Sequence, residues 1–126
     1  MTDPEALQVV RRHFDSLFPK TCASCGRRFA SLREYIVSTT RVGPAKSYDA
    51  ELGDWKTTEP IGSLALANCP CGSTLALSTE GLALPLRQAL LSWVKIETQR
   101  RGVSSSELLE QMRDEIRKQV LSDQAT

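Results

Sequence analysis

The chain has 126 residues, 40% hydrophobic and 25% charged, with 16 basic against 15 acidic side chains and a net charge of +1. This is the composition of an ordinary globular domain, long enough to bury a core, with no repeat and no low-complexity segment. Charge is balanced throughout: three bases meet three acids in residues 1–20, six meet six in 21–80 and seven meet six in 81–126, so composition alone shows no basic footprint of a nucleic-acid binder.

Aromatic residues are only 6% of the chain, so the core is expected to rest on Leu, Val, Ile and Ala. The start M-T-D-P-E has no apolar stretch of a secretory signal, and no apolar run is long enough to span a membrane. These features predict a cytoplasmic protein whose thiols stay reduced.

The first predicted element is an amphipathic helix over residues 4–18. Asp3 reads as its N-cap, Pro4 as the first helical residue and Glu5 as an acid in the first turn. Leu7, Val10, Phe14, Leu17 and Phe18 recur at helical spacing, and Pro19 marks the end. His13, the single histidine, falls inside this helix. It reads as an ordinary helix residue rather than a fifth metal ligand or a general base, because four cysteines already complete a ligand shell.

Residues 20–80 read as β-rich. Cys22 to Gly26 forms a tight turn, and the β-branched run Tyr35 to Val42 predicts a strand that Gly43-Pro44 breaks. Residues 44–62 have no clean period and predict a loop, with a short strand around Trp55 to Thr58. Trp55 there would suit a partner contact or cover the cysteine region. Leu64 to Ala67 and Thr74 to Ser78 flank the second cysteine pair as the arms of a hairpin.

Residues 82–101 predict a helix with Leu86, Ala89, Leu90, Trp93 and Ile96 on one face, widened by Leu91 and Val94. Arg100, Arg101 and Gly102 read as its C-terminus. Ser104-x-x-Glu107 is a capping box that opens a last helix, in which Leu109, Met112, Ile116 and Val120 make a narrow stripe and Asp114 and Lys118 stand at i,i+4. The final S-D-Q-A-T reads as frayed. The expected architecture is therefore α+β. An N-terminal helix (1–19) and a central cysteine-bearing β region (20–80) precede a C-terminal helical hairpin (81–126), whose narrow stripe would suit a homodimer or a partner protein.

The chemistry concentrates in four cysteines, paired as C-A-S-C-G at Cys22 and Cys25 and as C-P-C-G at Cys69 and Cys71. Zinc takes four thiolates in a tetrahedron, and a glycine after each pair allows the positive φ that the turn needs. The set resembles the zinc-ribbon class, in which two cysteine knuckles at the tips of β-hairpins clamp one Zn²⁺. The resemblance covers roughly Cys22 to Ser78. It implies a structural zinc held by Cys22, Cys25, Cys69 and Cys71 in a small antiparallel ribbon.

The second knuckle is C-x-C and 43 residues separate the pairs, more than a minimal ribbon needs. A rubredoxin-like iron site uses two C-x-x-C-G knuckles and fits less well. C-x-C with C-x-x-C is also similar, in reversed order, to the zinc switch of the bacterial redox-regulated chaperone. That likeness implies only that oxidation could release zinc and form disulfides. A thioredoxin-like reading of Cys22 to Cys25 needs a βαβ setting, whereas the predicted amphipathic helix precedes the pair and no parallel-sheet pattern follows.

No phosphate-binding glycine loop, no nucleophile elbow and no catalytic constellation is present in the sequence. Three functional readings stay open. The first is a non-enzymatic zinc-binding interaction or regulatory module, and the second a thiol redox sensor using the same cysteines. The third is a nucleic-acid-binding zinc ribbon using Arg27, Arg28, Arg33 and Arg41.

Overall fold

The structure is a computed structural model that describes residues 1–51 and 62–123. Helix α1 spans Asp3–Ser16. A small hairpin follows, β1 (Lys20–Thr21) with β2 (Arg28–Phe29), then α2 (Leu32–Ser38), β3 (Thr40–Ser47) and α3 (Tyr48–Glu51). The chain continues through β4 (Ser63–Asn68), β5 (Thr74–Ser78), α4 (Leu84–Arg101) and α5 (Ser105–Ser122). The expected α+β class holds. Both sheets are antiparallel: β1-β2, and β3-β4-β5 with β4 in the centre. The expected strand around Trp55 to Thr58, and the role of Trp55, lie outside the described residues.

Helix α1 starts one residue earlier than its sequence signal. Thr2, not Asp3, is the N-cap, its hydroxyl accepting from the Glu5 N–H at 3.3 Å. Asp3 is thereby free for a tertiary role: its carboxylate accepts from Trp93 Nε1 at 3.2 Å and from Arg101 on α4. Leu17 and Phe18 fall beyond the helix end and still pack against the core.

The segment after Ser31 is the clearest departure from expectation. Tyr35 to Ser38 belong to helix α2, not to a strand. Ser31 caps it by accepting from Glu34 N–H at 3.1 Å, and the Glu34 carboxylate accepts from Ala30 N–H at 3.0 Å. Two otherwise unpaired donors are thus satisfied, which outweighs the weak strand preference of Ile36 and Val37. Leu32, Tyr35 and Ile36 then share one face turned to the core.

Strand β3 runs through Gly43-Pro44, where a break was expected. The register slips between Val42 and Lys46, and Gly43 has φ +62°. Proline has no N–H for the ladder, but β3 is an edge strand and the slip is a bulge, the two settings where proline is tolerated. Helix α5 supplies the missing partners. Glu110 accepts from Ala45 N–H, while Arg113 donates to Gly43 O at 3.2 Å and to Leu66 O at 2.8 Å.

The capping box of α5 forms as expected, with Glu107 N–H donating to Ser104 Oγ at 3.1 Å. Leu109, Met112, Ile116 and Val120 are buried, joined by Leu108 at 1% exposure. They pack inside this chain against the sheet and the other helices, so the stripe offers no free face to a partner helix. Each such side chain contributes about 1.5–3 kcal/mol by leaving water. Asp114 pairs with Arg41 at 2.7 Å rather than with Lys118. Ser122 and Asp123, expected to fray, are held by Lys118 O and Arg11.

Helix α4 ends as read, with Gly102 at φ +67° donating to Thr98 O at 3.0 Å. Its buried face is Leu90, Leu91, Trp93 and Val94, whereas Leu86 and Ile96, expected on that face, are exposed. One continuous core joins all three predicted segments, from Ala6 and Val10 through Phe29, Tyr35 and the buried cysteines to α4 and α5. Aromatic residues are few, yet Phe29, Tyr35 and Trp93 are among its anchors. None of the described helices is long and apolar enough to cross a membrane.

Candidate metal centre

Two hairpin tips build the site. In the first, Lys20 pairs with Phe29 and Thr21 with Arg28, and the six residues from Cys22 to Arg27 form the tip. Cys22 N–H donates to Arg27 O at 2.8 Å and Gly26 N–H to Cys22 O at 2.9 Å, with Gly26 at φ +78°. In the second, Asn68 pairs with Thr74 at the end of the β4-β5 ladder, and their side chains are linked at 2.8 Å. Cys69 N–H donates to Ser73 O and Gly72 N–H to Cys69 O, both at 2.8 Å, and Gly72 has φ +95°.

The tips face each other. All four Sγ atoms lie within 4.8 Å of one another, although 43 residues separate Cys25 from Cys69. Cys22 Sγ is 3.7 Å from Cys71 Sγ, and Cys25 Sγ is 3.7 Å from Cys69 Sγ. A tetrahedron with metal–sulfur bonds of about 2.3 Å has sulfur–sulfur edges of about 3.8 Å, so the spacing suits one ion at the centre. It is far too long for a disulfide, and all four thiols are free.

Cys22 and Cys69 are buried, while Cys25 and Cys71 are exposed. Each knuckle therefore contributes one sulfur from the core and one from the surface. Local donors favour thiolate at two of them. Hydrogen bonds from the Ser73 side chain and backbone draw Cys71 down to about 6, and the backbone of Cys25 and Ser24 lowers Cys22. At Cys69 the Cys71 backbone also favours thiolate. Burial and the neighbouring thiols outweigh it and push that thiol up to about 11. A bound cation would remove that conflict, because it stabilises all four thiolates together.

Phe29 is fully buried beneath the first knuckle, edge-on to Tyr35 with ring centroids 5.4 Å apart. The Arg27 guanidinium lies over its outer side, 5.4 Å from the ring centre. Arg41 is engaged by Asp114 at 2.7 Å and Glu110 at 3.5 Å, whereas Arg27, Arg28 and Arg33 are exposed and have no ion pair among the described residues. His13 is no part of the cysteine cluster. Its Nε2 lies 2.9 Å from Ser78 O at the far end of β5, and its ring packs against Gly81.

All four cysteines singled out in the sequence thus converge. What the sequence did not show is their uneven exposure, one buried and one exposed cysteine in each knuckle. No family model, no curated protein and no solved structure matches this chain. Fold and site together define an α+β protein with a four-cysteine cluster that could bind a metal ion.

Proposed function

We propose that Cys22, Cys25, Cys69 and Cys71 hold one structural Zn²⁺ in a zinc-ribbon-like arrangement, and that the chain is a non-catalytic interaction or regulatory module. The observation that carries this reading is the pair of 3.7 Å sulfur–sulfur edges, set by two glycine-ended knuckles on separate hairpins. Four thiolates fill the shell of zinc and leave no open position for a substrate, the mark of a structural rather than a catalytic site. The ion would join a hairpin that has only two residue pairs to the larger sheet.

The test is native mass spectrometry of the purified chain, followed by chelation monitored by circular dichroism. One zinc per chain and loss of tertiary signal on chelation are expected, since structural zinc contributes folding free energy directly. A chain that binds no zinc, or that keeps its fold and stability without it, would overturn the proposal.

A second reading rests on the exposure of Cys25 and Cys71. Peroxide can reach one sulfur of each knuckle. Each disulfide formed would consume two thiols and reduce one peroxide to water, and zinc would leave. Reversible zinc release by mild peroxide would favour a redox sensor, and zinc retained under peroxide would exclude it. The nucleic-acid reading keeps only Arg27, Arg28 and Arg33, because Arg41 is neutralised by α5.

A further inference from the structure

Two adjoining cavities, of about 70 and 50 Å³, lie between the three-stranded sheet and helix α5, and both are lined by Phe14, Ala65, Arg113 and Ile116. The first is bounded on one side by α2, through Leu32, Tyr35 and Ile36, and has Arg41, Arg113 and Arg117 among its walls. The second is almost wholly apolar, with Val10, Leu90 and Met112 among its lining. One water occupies about 10–15 Å³ on this measure, so the first cavity alone has room for several waters or a small organic group.

Its polar lining is one-sided. Tyr35 is 4% exposed, and its buried hydroxyl has no hydrogen-bond partner among the described residues. A buried polar group without a partner costs about 1–3 kcal/mol and calls for an explanation. Arg113 makes three hydrogen bonds, to Gly43 O, Glu110 and Leu66 O. A guanidinium has five N–H groups, so two remain. Arg117 makes no ion pair among the described residues. Tyr35 and these two arginines are donors, and Glu110 and Asp114, the acceptors on the same helix turns as Arg113 and Arg117, are already engaged by Arg113 and Arg41.

We propose that these cavities form a binding site for a short-chain carboxylate. Its charged end would accept from the Tyr35 hydroxyl and the Arg113 and Arg117 guanidinium groups, and its hydrocarbon end would lie against Phe14 and Ile116. The anion supplies the acceptor that the donors lack, and the apolar walls select an alkyl chain over inorganic phosphate. This site is separate from the cysteine cluster and does not depend on the function proposed for it.

The experiment is titration of the zinc-loaded chain with butyrate, followed by NMR of the methyl groups, with butan-1-ol and inorganic phosphate as comparisons. Saturable shifts at Leu32, Ile36 and Ile116 with butyrate, and weaker or no binding of the other two, are expected. Tyr35→Phe should weaken butyrate about tenfold or more, the value of one hydrogen bond to a charged group, without destabilising the free protein. Arg117→Gln, at an exposed position that folding does not need, should weaken it about two- to fivefold. No saturable shift, equal binding of butan-1-ol or phosphate, or undiminished affinity in both variants would overturn the proposal.

Discussion

Replacing Phe29 by alanine tests whether the first knuckle is fastened to the core or merely rests on it. The ring has no exposed surface, and truncating a buried Phe costs about 3–5 kcal/mol. Loss of the edge-on contact with Tyr35 at 5.4 Å accounts for about 0.5–1.5 kcal/mol of ring-specific interaction. Arg27 is exposed, so its stacking on the ring contributes at the low end, about 0.5 kcal/mol. A total near 4 kcal/mol is a large share of the roughly 5–15 kcal/mol that stabilises an ordinary domain. With a urea slope of about 1.5–2 kcal/mol per molar, the midpoint should fall by about 2–3 M. Zinc stoichiometry in the folded variant should stay at that of the parent, because the four sulfurs are untouched. The assay is urea unfolding of the zinc-loaded chain by circular dichroism, with metal content measured in parallel. A midpoint shift below about 0.5 M would refute the packing argument.

Two further outcomes follow from the geometry. Gly72→Ala places a side chain at φ +95° with no atom within 4 Å, so the cost is backbone strain alone, about 1–2 kcal/mol. Because that strain sits in a knuckle, zinc affinity in chelator competition should fall about tenfold. Gly102→Ala, at φ +67° and also without near neighbours, should lower stability similarly but leave zinc affinity alone; equal loss of zinc affinity in both would refute the distinction. The second outcome concerns alkaline pH. Burial raises the Tyr35 hydroxyl from 10 to about 12, against a smaller lowering effect of Arg113. The folded state then holds its proton where the unfolded state has lost it, so stability should be full below about pH 10 and decline towards pH 12. In the zinc-loaded chain, whose cysteines are already thiolates, Tyr35→Phe should lessen that decline, and the phenolate absorbance step near pH 12 should vanish with it; a variant with an unchanged alkaline profile would refute the assignment.

The sequence by itself determined the parts whose signals are local. Cysteine spacing with a following glycine marked the four cysteines that converge into one cluster. Ser104-x-x-Glu107 and Gly102 marked the adjoining ends of α4 and α5, because capping uses donors and acceptors within one turn. The same signal, Ser31-x-x-Glu34, was also present for α2, and a β-branched run that proves weaker than a satisfied cap obscured it.

Only the tertiary structure decided the rest. Gly43-Pro44 continues β3 because Glu110 and Arg113, more than 60 residues away, supply the bulge with partners. The α5 stripe, which alone could equally suit a dimer, is covered by the chain's own sheet and helices. Asp3 looked like a cap and instead ties α1 to Trp93 and Arg101. In each case the deciding energy is that of a polar group or apolar face finding a partner distant in sequence, and no local pattern encodes which partner that will be.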